Sequence, residues 1–283
     1  MGKFDGVLIA SDYDNTLVYT EGALLSGTEL PPLSRENREA IEYFMAQGGT
    51  FSVATGRALP AFAYIAPDIP MNGPTILFNG GAIYDFRTHT YLVTAFLPES
   101  IRPHLLELEQ RFPGLTYEIY HDNNDIHAVN SNDLTRKHQH LTHLPSVEIS
   151  SSAQAPSPFS KLLFEEMPPR GTELEEYVCA SQWAKEFEVV RSGKYFLEIT
   201  AKGANKGGMV EKLANLLGIQ RQHVYCVGDH YNDLPMLAYA SIPFIPDNAV
   251  EQLHRVPGVR VLPDCHHHTL AAMIRELDAR YSK

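Results

Sequence analysis

Asp12 and Asp14 stand two residues apart in the segment Asp12-Tyr13-Asp14-Asn15-Thr16-Leu17, directly after the apolar run Val7-Leu8-Ile9-Ala10-Ser11. Two carboxylates so placed are costly neighbours unless a cation lies between them. A hard divalent ion meets that need, and Mg²⁺ binds through a few carboxylate or carbonyl oxygens together with substrate phosphate. Asp229 and Asp233, which follow the apolar run Val224-Tyr225-Cys226-Val227 and Gly228, supply further negative charge. Lys206, after Gly203-Ala204-Asn205 at the start of a helical pattern, can set an ammonium and backbone N–H groups against a phosphate. Lys202 is the alternative for that role.

Two more apolar runs end in polar tips: Phe51-Ser52-Val53-Ala54 before Thr55-Gly56-Arg57, and Thr75-Ile76-Leu77-Phe78 before Asn79-Gly80-Gly81. In an open parallel sheet the carboxyl ends of strands lie side by side, where ligands bind, so all four tips are expected at one sheet edge. Between the first two runs a helix is expected over Arg35 to Gln47, with Ser34 as N-cap, Ile41, Phe44 and Met45 as its apolar stripe and Gly48 as its stop. After Lys206 the pattern repeats: a helix ended by Gly218, the Val224 strand, a helix near Leu234 to Ala240, a strand over Ile242 to Ile245, and a last helix near Thr269 to Arg280. Strands separated by helices imply parallel pairing with right-handed crossovers. Residues 85 to 200 read differently, with five expected strands and two helices, which suggests an α+β unit inserted into an α/β one.

The composition, 44% hydrophobic and 20% charged, is that of a soluble globular protein, and 283 residues suffice for two domains. No apolar stretch approaches the roughly 18 residues of a membrane span. The net charge of −11, without basic runs, argues against nucleic-acid binding. Met1 to Asp5 lead straight into a strand without a secretory signal, and three scattered cysteines fit a reducing compartment, so a cytoplasmic location is expected. Oligomeric state is not legible. His266-His267-His268 read as surface, because consecutive residues point different ways.

Asp-x-Asp-x-Thr, a strand ending in Thr-Gly-Arg, a lysine before a helix, and Gly228-Asp229-x-x-Asn232-Asp233, in that order, resemble the four motifs of the haloacid dehalogenase (HAD) superfamily of phosphohydrolases. Asn79-Gly80-Gly81-Ala82-Ile83-Tyr84-Asp85 and the placement of the insertion resemble its Cof-like branch. The resemblance implies a Rossmann-like parallel-sheet core, residues 1–84 and 201–283, with an α+β cap at 85–200. It implies Asp12 as a nucleophile that becomes phosphorylated and Asp14 as acid and base. Thr55, Gly56, Lys206 and Asn232 would hold the phosphoryl group. Asp12, Asp229 and the main-chain carbonyl of Asp14 would bind Mg²⁺, with Asp233 behind them. Arg57, Asn79, Gly80 and Asn248 are candidates for substrate contact, although an ordinary ion pair for Arg57 and a plain tight turn at Asn79-Gly80-Gly81 remain equal alternatives. Asn15 replaces the usual glycine of the first motif, a position asparagine tolerates in the left-handed region. Some sugar-phosphate phosphatases of the superfamily share it, which favours a sugar phosphate as the small phosphorylated substrate. A phosphomannomutase-like phosphotransferase and a non-catalytic metabolite-binding protein are the competing functions.

Overall fold

The computed structural model describes residues 2–122 and 125–282. Met1 and Lys283, the outer ends of the expected core unit, lie outside the described residues, as do Asn123 and Asn124. The strands are β1 (Leu8–Ser11), β2 (Thr50–Val53), β3 (Thr75–Leu77), β4 (Ala82–Asp85), β5 (Thr90–Thr94), β6 (Tyr117–His121), β7 (Ile126–Val129), β8 (Val147–Ile149), β9 (Phe159–Glu165), β10 (Phe187–Gly193), β11 (Phe196–Ala201), β12 (Val224–Val227), β13 (Ile242–Pro246) and β14 (Arg260–Leu262). The helices are α1 (Glu21–Ser26), α2 (Arg35–Ala46), α3 (Leu59–Ile65), α4 (Ile101–Arg111), α5 (Asp133–Thr142), α6 (Arg170–Ala180), α7 (Lys206–Leu216), α8 (Leu234–Tyr239) and α9 (Thr269–Tyr281).

Five strands form a parallel sheet in the order β14-β13-β12-β1-β2. Alternation along β1 explains why helices cover both faces. Ile9 packs in one cluster with Ile41 and Phe44 of α2 and Met273 and Leu277 of α9, whereas Leu8 and Ala10 pack in another with Met209, Val210 and Leu213 of α7. Two of these helices start where their sequence dictates: Ser34 caps the N-terminus of α2 by accepting from Asn37 N, and Asn205 caps that of α7 by accepting from Gly208 N. The chain runs from β1 to β2 on one side and returns to β12 on the other. The order therefore reverses between β1 and β12, and that crevice is where such sheets bind ligands.

The run Thr75 to Phe78 departs from expectation. Its strand β3 opens a separate antiparallel sheet, β3-β4-β5, joined to the parallel sheet by one bridge between Ala54 and Ile76. The reason is local: Phe78, Asn79 and Gly80 all have positive φ, 54°, 55° and 104°, and turn the chain back on itself instead of into a crossover helix. β5, within the stretch expected to be inserted, completes this small sheet.

A six-stranded sheet, β10-β11-β9-β6-β7-β8, carries the α+β unit, antiparallel except at β7 and β8. One face is its own core: Tyr117, Ile119, Leu162, Phe164, Leu197 and Ile199 pack on Leu105 and Leu108 of α4 and Leu174 and Val178 of α6. The residues between them, Glu118, Tyr120, Lys161, Leu163, Glu165 and Glu198, face the other way, and Tyr120 and Leu163 join the cluster of the parallel-sheet unit. No described helix is long and apolar enough to cross a membrane.

Gly80 shows how the small sheet positions α7. A Cβ there would lie 2.4 Å from the backbone of Asn205, the residue that caps α7 immediately before Lys206. Gly80→Ala should lower stability in urea unfolding by about 1–3 kcal/mol through overpacking, with the positive φ adding strain. A change below about 0.5 kcal/mol would show that the two segments yield freely.

Candidate active site

The carboxyl ends of β1, β2, β12 and β13 present Asp12, Thr55, Asp229 and Asn248 along one edge. Lys206 Nζ, fully buried, lies 2.6 Å from Asp12 Oδ1 and 2.6 Å from Asp233 Oδ1. Asp233 is filled by its own partners, since its Oδ2 accepts from Asp229 N at 2.9 Å and His230 N at 3.0 Å. Asp229 accepts from Thr16 Oγ1 at 2.9 Å. Carboxylate oxygens of Asp12, Asp229 and Asp233 all lie within 4.8 Å of one another. Lys202 is outside this group and pairs with Glu188 at 3.4 Å.

Asp14 turns away from the cluster into a two-pronged ion pair with Arg57, Nε to Oδ2 at 3.0 Å and Nη2 to Oδ1 at 2.7 Å. The Arg57 guanidinium also lies 5.1 Å from the Tyr13 ring centroid. The two acids of the first motif thereby receive opposite environments. Burial, and then the charge of Asp233, pushes Asp12 up to about 7 despite Lys206. Burial acts in the same sense on Asp14, but Arg57 outweighs it and holds that carboxyl below its ordinary value. Asp229 is raised well above the carboxylate range by burial and by Asp12 and Asp233. Four carboxylates here face two cations, Lys206 and Arg57. That imbalance, in a buried site with Asp12 and Asp229 side by side, suits a hard divalent cation.

The remaining candidates divide by position. Gly56, Arg57, Asn232 and Asn248 line a cavity of about 390 Å³ together with Asp12, Asp14 and Asp229. Thr55 is buried behind it, its Oγ1 accepting from Arg57 N at 3.1 Å. Asn79 also stands behind, accepting from Asn232 Nδ2 at 2.9 Å, and Gly80 packs on Asn205 instead of lining the cavity. Asn248 ties two loops, donating to Asn15 O at 2.8 Å and accepting from Cys265 N at 2.9 Å. Asn15 has φ 58°, and its Oδ1 accepts from Thr20 N and Glu21 N, starting α1. His266 and His267 are exposed, the latter paired with Asp264. The sequence reading passed over Thr16, His138, Lys161 and Glu198, the last three on the far cavity wall. For Lys161 and Glu198 the signal was charge at alternate positions of the otherwise apolar strands β9 and β11, whereas Thr16 lies in the loop after β1 and His138 on α5.

A doubly wound sheet with an acid cluster, a buried lysine and a cavity at its switch point defines an α/β enzyme of the phosphoryl-transfer kind. The model of the haloacid dehalogenase-like hydrolases matches residues 9–257, and the chain belongs to that family. It is 27% identical over 275 residues to 5-amino-6-(5-phospho-D-ribitylamino)uracil phosphatase YwtE of Bacillus subtilis, covering 87% of this chain and 89% of the relative. Its fold is similar to that of a haloacid dehalogenase-like hydrolase from Bacteroides thetaiotaomicron, with a TM-score of 0.78 at 24% identity over 96% of this chain and 99% of the other. It is equally similar to the HAD subclass IIB sugar phosphatase BT4131, with a TM-score of 0.79 at 20% identity over 96% and 99%. The chain is thus an enzyme of HAD phosphatase type, with a parallel-sheet core and an α+β cap, and the non-catalytic reading is set aside.

The Asp12 environment makes stability depend on pH when divalent cations are removed. A carboxyl whose folded-state value exceeds its unfolded one favours the fold only while protonated, so its contribution is lost as pH rises from about 4 to about 7. In chelator, the melting temperature should fall across that interval relative to Asp12→Asn, which cannot titrate there. Parallel profiles for the two proteins would contradict the assignment.

Proposed function

We propose that this chain is a Mg²⁺-dependent phosphohydrolase that removes phosphate from a small phosphorylated metabolite, a sugar phosphate, through an aspartyl phosphate on Asp12. The observation that carries this reading is the placement of Asp12 at the end of β1, beside the switch point of the sheet, against Lys206 and beside Asp229, facing the cavity. The acid cluster fits the ion by the chemistry of its donors. Asp12 and Asp229 would hold Mg²⁺ with the Asp14 carbonyl, while Asp233, its oxygens already taken, positions Lys206. Bound there, the ion offsets negative charge on the phosphoryl oxygens and on the carboxylates.

An Asp12 oxygen attacks phosphorus as the ester oxygen departs, taking a proton from Asp14. Lys206, the Thr55 hydroxyl and the Gly56 backbone N–H stabilise the charge of the transferring group. Water then attacks phosphorus, Asp14 accepts its proton, and Asp12 is regenerated with release of phosphate. Arg57 grips both Asp14 oxygens in the ionised form that the second step needs, and opening of that pair favours the protonated form used in the first. Asn232, steadied by Asn79, adds a donor beside the phosphoryl site.

The six-stranded sheet and its helices, about residues 97–201, act as the cap, and the remainder as the core. Closure excludes water other than the reacting molecule. The ribityl phosphate in the name of the Bacillus subtilis relative supports a polyhydroxylated ester. Free cysteines at 179, 226 and 265 suit a reducing compartment such as the cytoplasm.

Incubation with a panel of phosphate esters and Mg²⁺ should release inorganic phosphate in proportion to free alcohol, whereas a phosphorylated isomer without phosphate release would mark a mutase. Asp12→Asn should lower turnover by roughly three or more decades with the fold retained, a larger loss than acid–base groups cause. Near-normal turnover would remove Asp12 from the nucleophile's role. Asp229→Ala should raise the Mg²⁺ concentration needed for half-maximal activity, and an unchanged metal titration would contradict its place as ligand.

A further inference from the structure

The cap sheet buries charge on its second face, beneath α5 on one side and the parallel-sheet unit on the other. Glu118, Lys161, Glu165 and Glu198 are each at most 3% exposed. Register places Glu118 and Glu198 either side of Leu163, and Lys161 opposite Tyr120. Burying ion pairs contributes little to stability compared with apolar residues of the same volume, so packing alone gives no reason for this face. Its members also front the cavity: Lys161, Glu198, Ser192, Tyr120 and His138 line the wall opposite the acid cluster.

Lys161 is the link between cap and core. Its Nζ donates to Gly56 O at 2.8 Å, lies 3.0 Å from Glu198 Oε2 and stands 4.6 Å from the Tyr120 ring centroid. Glu198 Oε1 accepts from Ser192 Oγ, while Oε2, though beside the ammonium, has no aligned hydrogen bond among the described residues. An acceptor and a donor therefore sit side by side at the wall, next to the loop proposed to hold the phosphate. A hydroxyl group is both donor and acceptor, and two neighbouring hydroxyls match such a pair.

Charge limits what else can bind. Glu198 neutralises Lys161. His138, 2.9 Å from Glu165 and 3.6 Å from Glu118, is held protonated, since burial opposes its charge but the two glutamates outweigh it and raise it to about 9. The other cation of the wall, Lys194, is exposed at the rim. Among the described residues of this wall, no buried cation is left over for a second anionic group.

We infer, resting on the phosphatase reading above, that Lys161 and Glu198 are specificity-determining residues that read adjacent hydroxyls of the leaving group, and that the substrate is a monophosphate of a neutral polyol or sugar. Substrates carrying a carboxylate or a second phosphate are rejected by Glu198. The discrimination follows because a leaving group without hydroxyls covers the Lys161–Glu198 pair and offers it no hydrogen bond in place of water.

The test uses sorbitol phosphate, p-nitrophenyl phosphate and phosphoglycerate with Mg²⁺, comparing wild type with Glu198→Gln and Glu198→Asp. Wild type should favour sorbitol phosphate over phosphoglycerate in kcat/KM by at least about tenfold. Glu198→Gln should lower the ratio of sorbitol phosphate to p-nitrophenyl phosphate by about 10- to 100-fold, and raise phosphoglycerate relative to sorbitol phosphate, because Lys161 is freed for a carboxylate. Glu198→Asp, which keeps the charge, should recover part of both ratios, and cooperative melting of each variant checks the fold. Equal losses for all three esters in Glu198→Gln would reduce the residue to a structural role, and a wild-type preference for phosphoglycerate would overturn the neutral-substrate claim. Hydrolysis of none of the three by wild type, with Mg²⁺ present, would instead fell the phosphatase reading, and this inference with it.

Discussion

The Lys206 ammonium, fully buried between Asp12 and Asp233, is the contact on which the site depends. A charge removed from water is tolerated only when its partners are close and fixed, and here both lie at 2.6 Å. Meeting that requirement ties three distant parts of the chain together: the end of β1, the start of α7 and the turn after β12. Asp233 is held in turn by two backbone N–H groups of its own loop, and α7 is seated by Asn205 and by the close approach of Gly80. The acid cluster follows from this arrangement, since one ammonium cannot balance three carboxylates. The excess distinguishes the place from a closed ion network and makes it a candidate cation site.

The same logic separates the two acids of the first motif. Two residues along the chain carry Asp14 out of reach of Lys206 and into the fork of Arg57, so neighbours of like chemistry acquire opposite tendencies to hold a proton. The cap repeats the principle on a sheet. Alternation along β6, β9 and β11 gives one face to the apolar core and the other to charge, and that second face is covered by α5, whose His138 pairs with Glu118 and Glu165, together with the core domain. Lys161, bonded to the Gly56 carbonyl, joins the cap wall of the cavity to the loop after β2.

Much of this was legible in the residues because the catalytic motifs sit at ends of strands and helices, where local rules are strong. The α2 cap, the start of α7 at Lys206, the left-handed Asn15 and the parallel pairing of strands separated by helices needed only short-range signals. The β3 run misled because an apolar strand reads alike in parallel and antiparallel sheets, and three successive positive φ values decide the matter. Helix α5 was missed because its face toward the sheet is polar, and its start rests on a capping box between Asn132 and Thr135. β14 was missed for its brevity. The cap wall was hidden for a further reason: Glu118, Lys161 and Glu198 are far apart in sequence, and only strand register makes them neighbours.

The central claim is that Asp12 is covalently phosphorylated while Lys206 and its companion acids hold the site together. Acid quench of the working enzyme during turnover of a phosphate ester, followed by peptide mass spectrometry, addresses it directly. The account predicts a single phosphoryl group on the peptide containing Asp12, absent from Asp12→Asn and lost on standing in neutral buffer. A phosphoryl group on another residue, or steady hydrolysis with none trapped on any peptide, would contradict it.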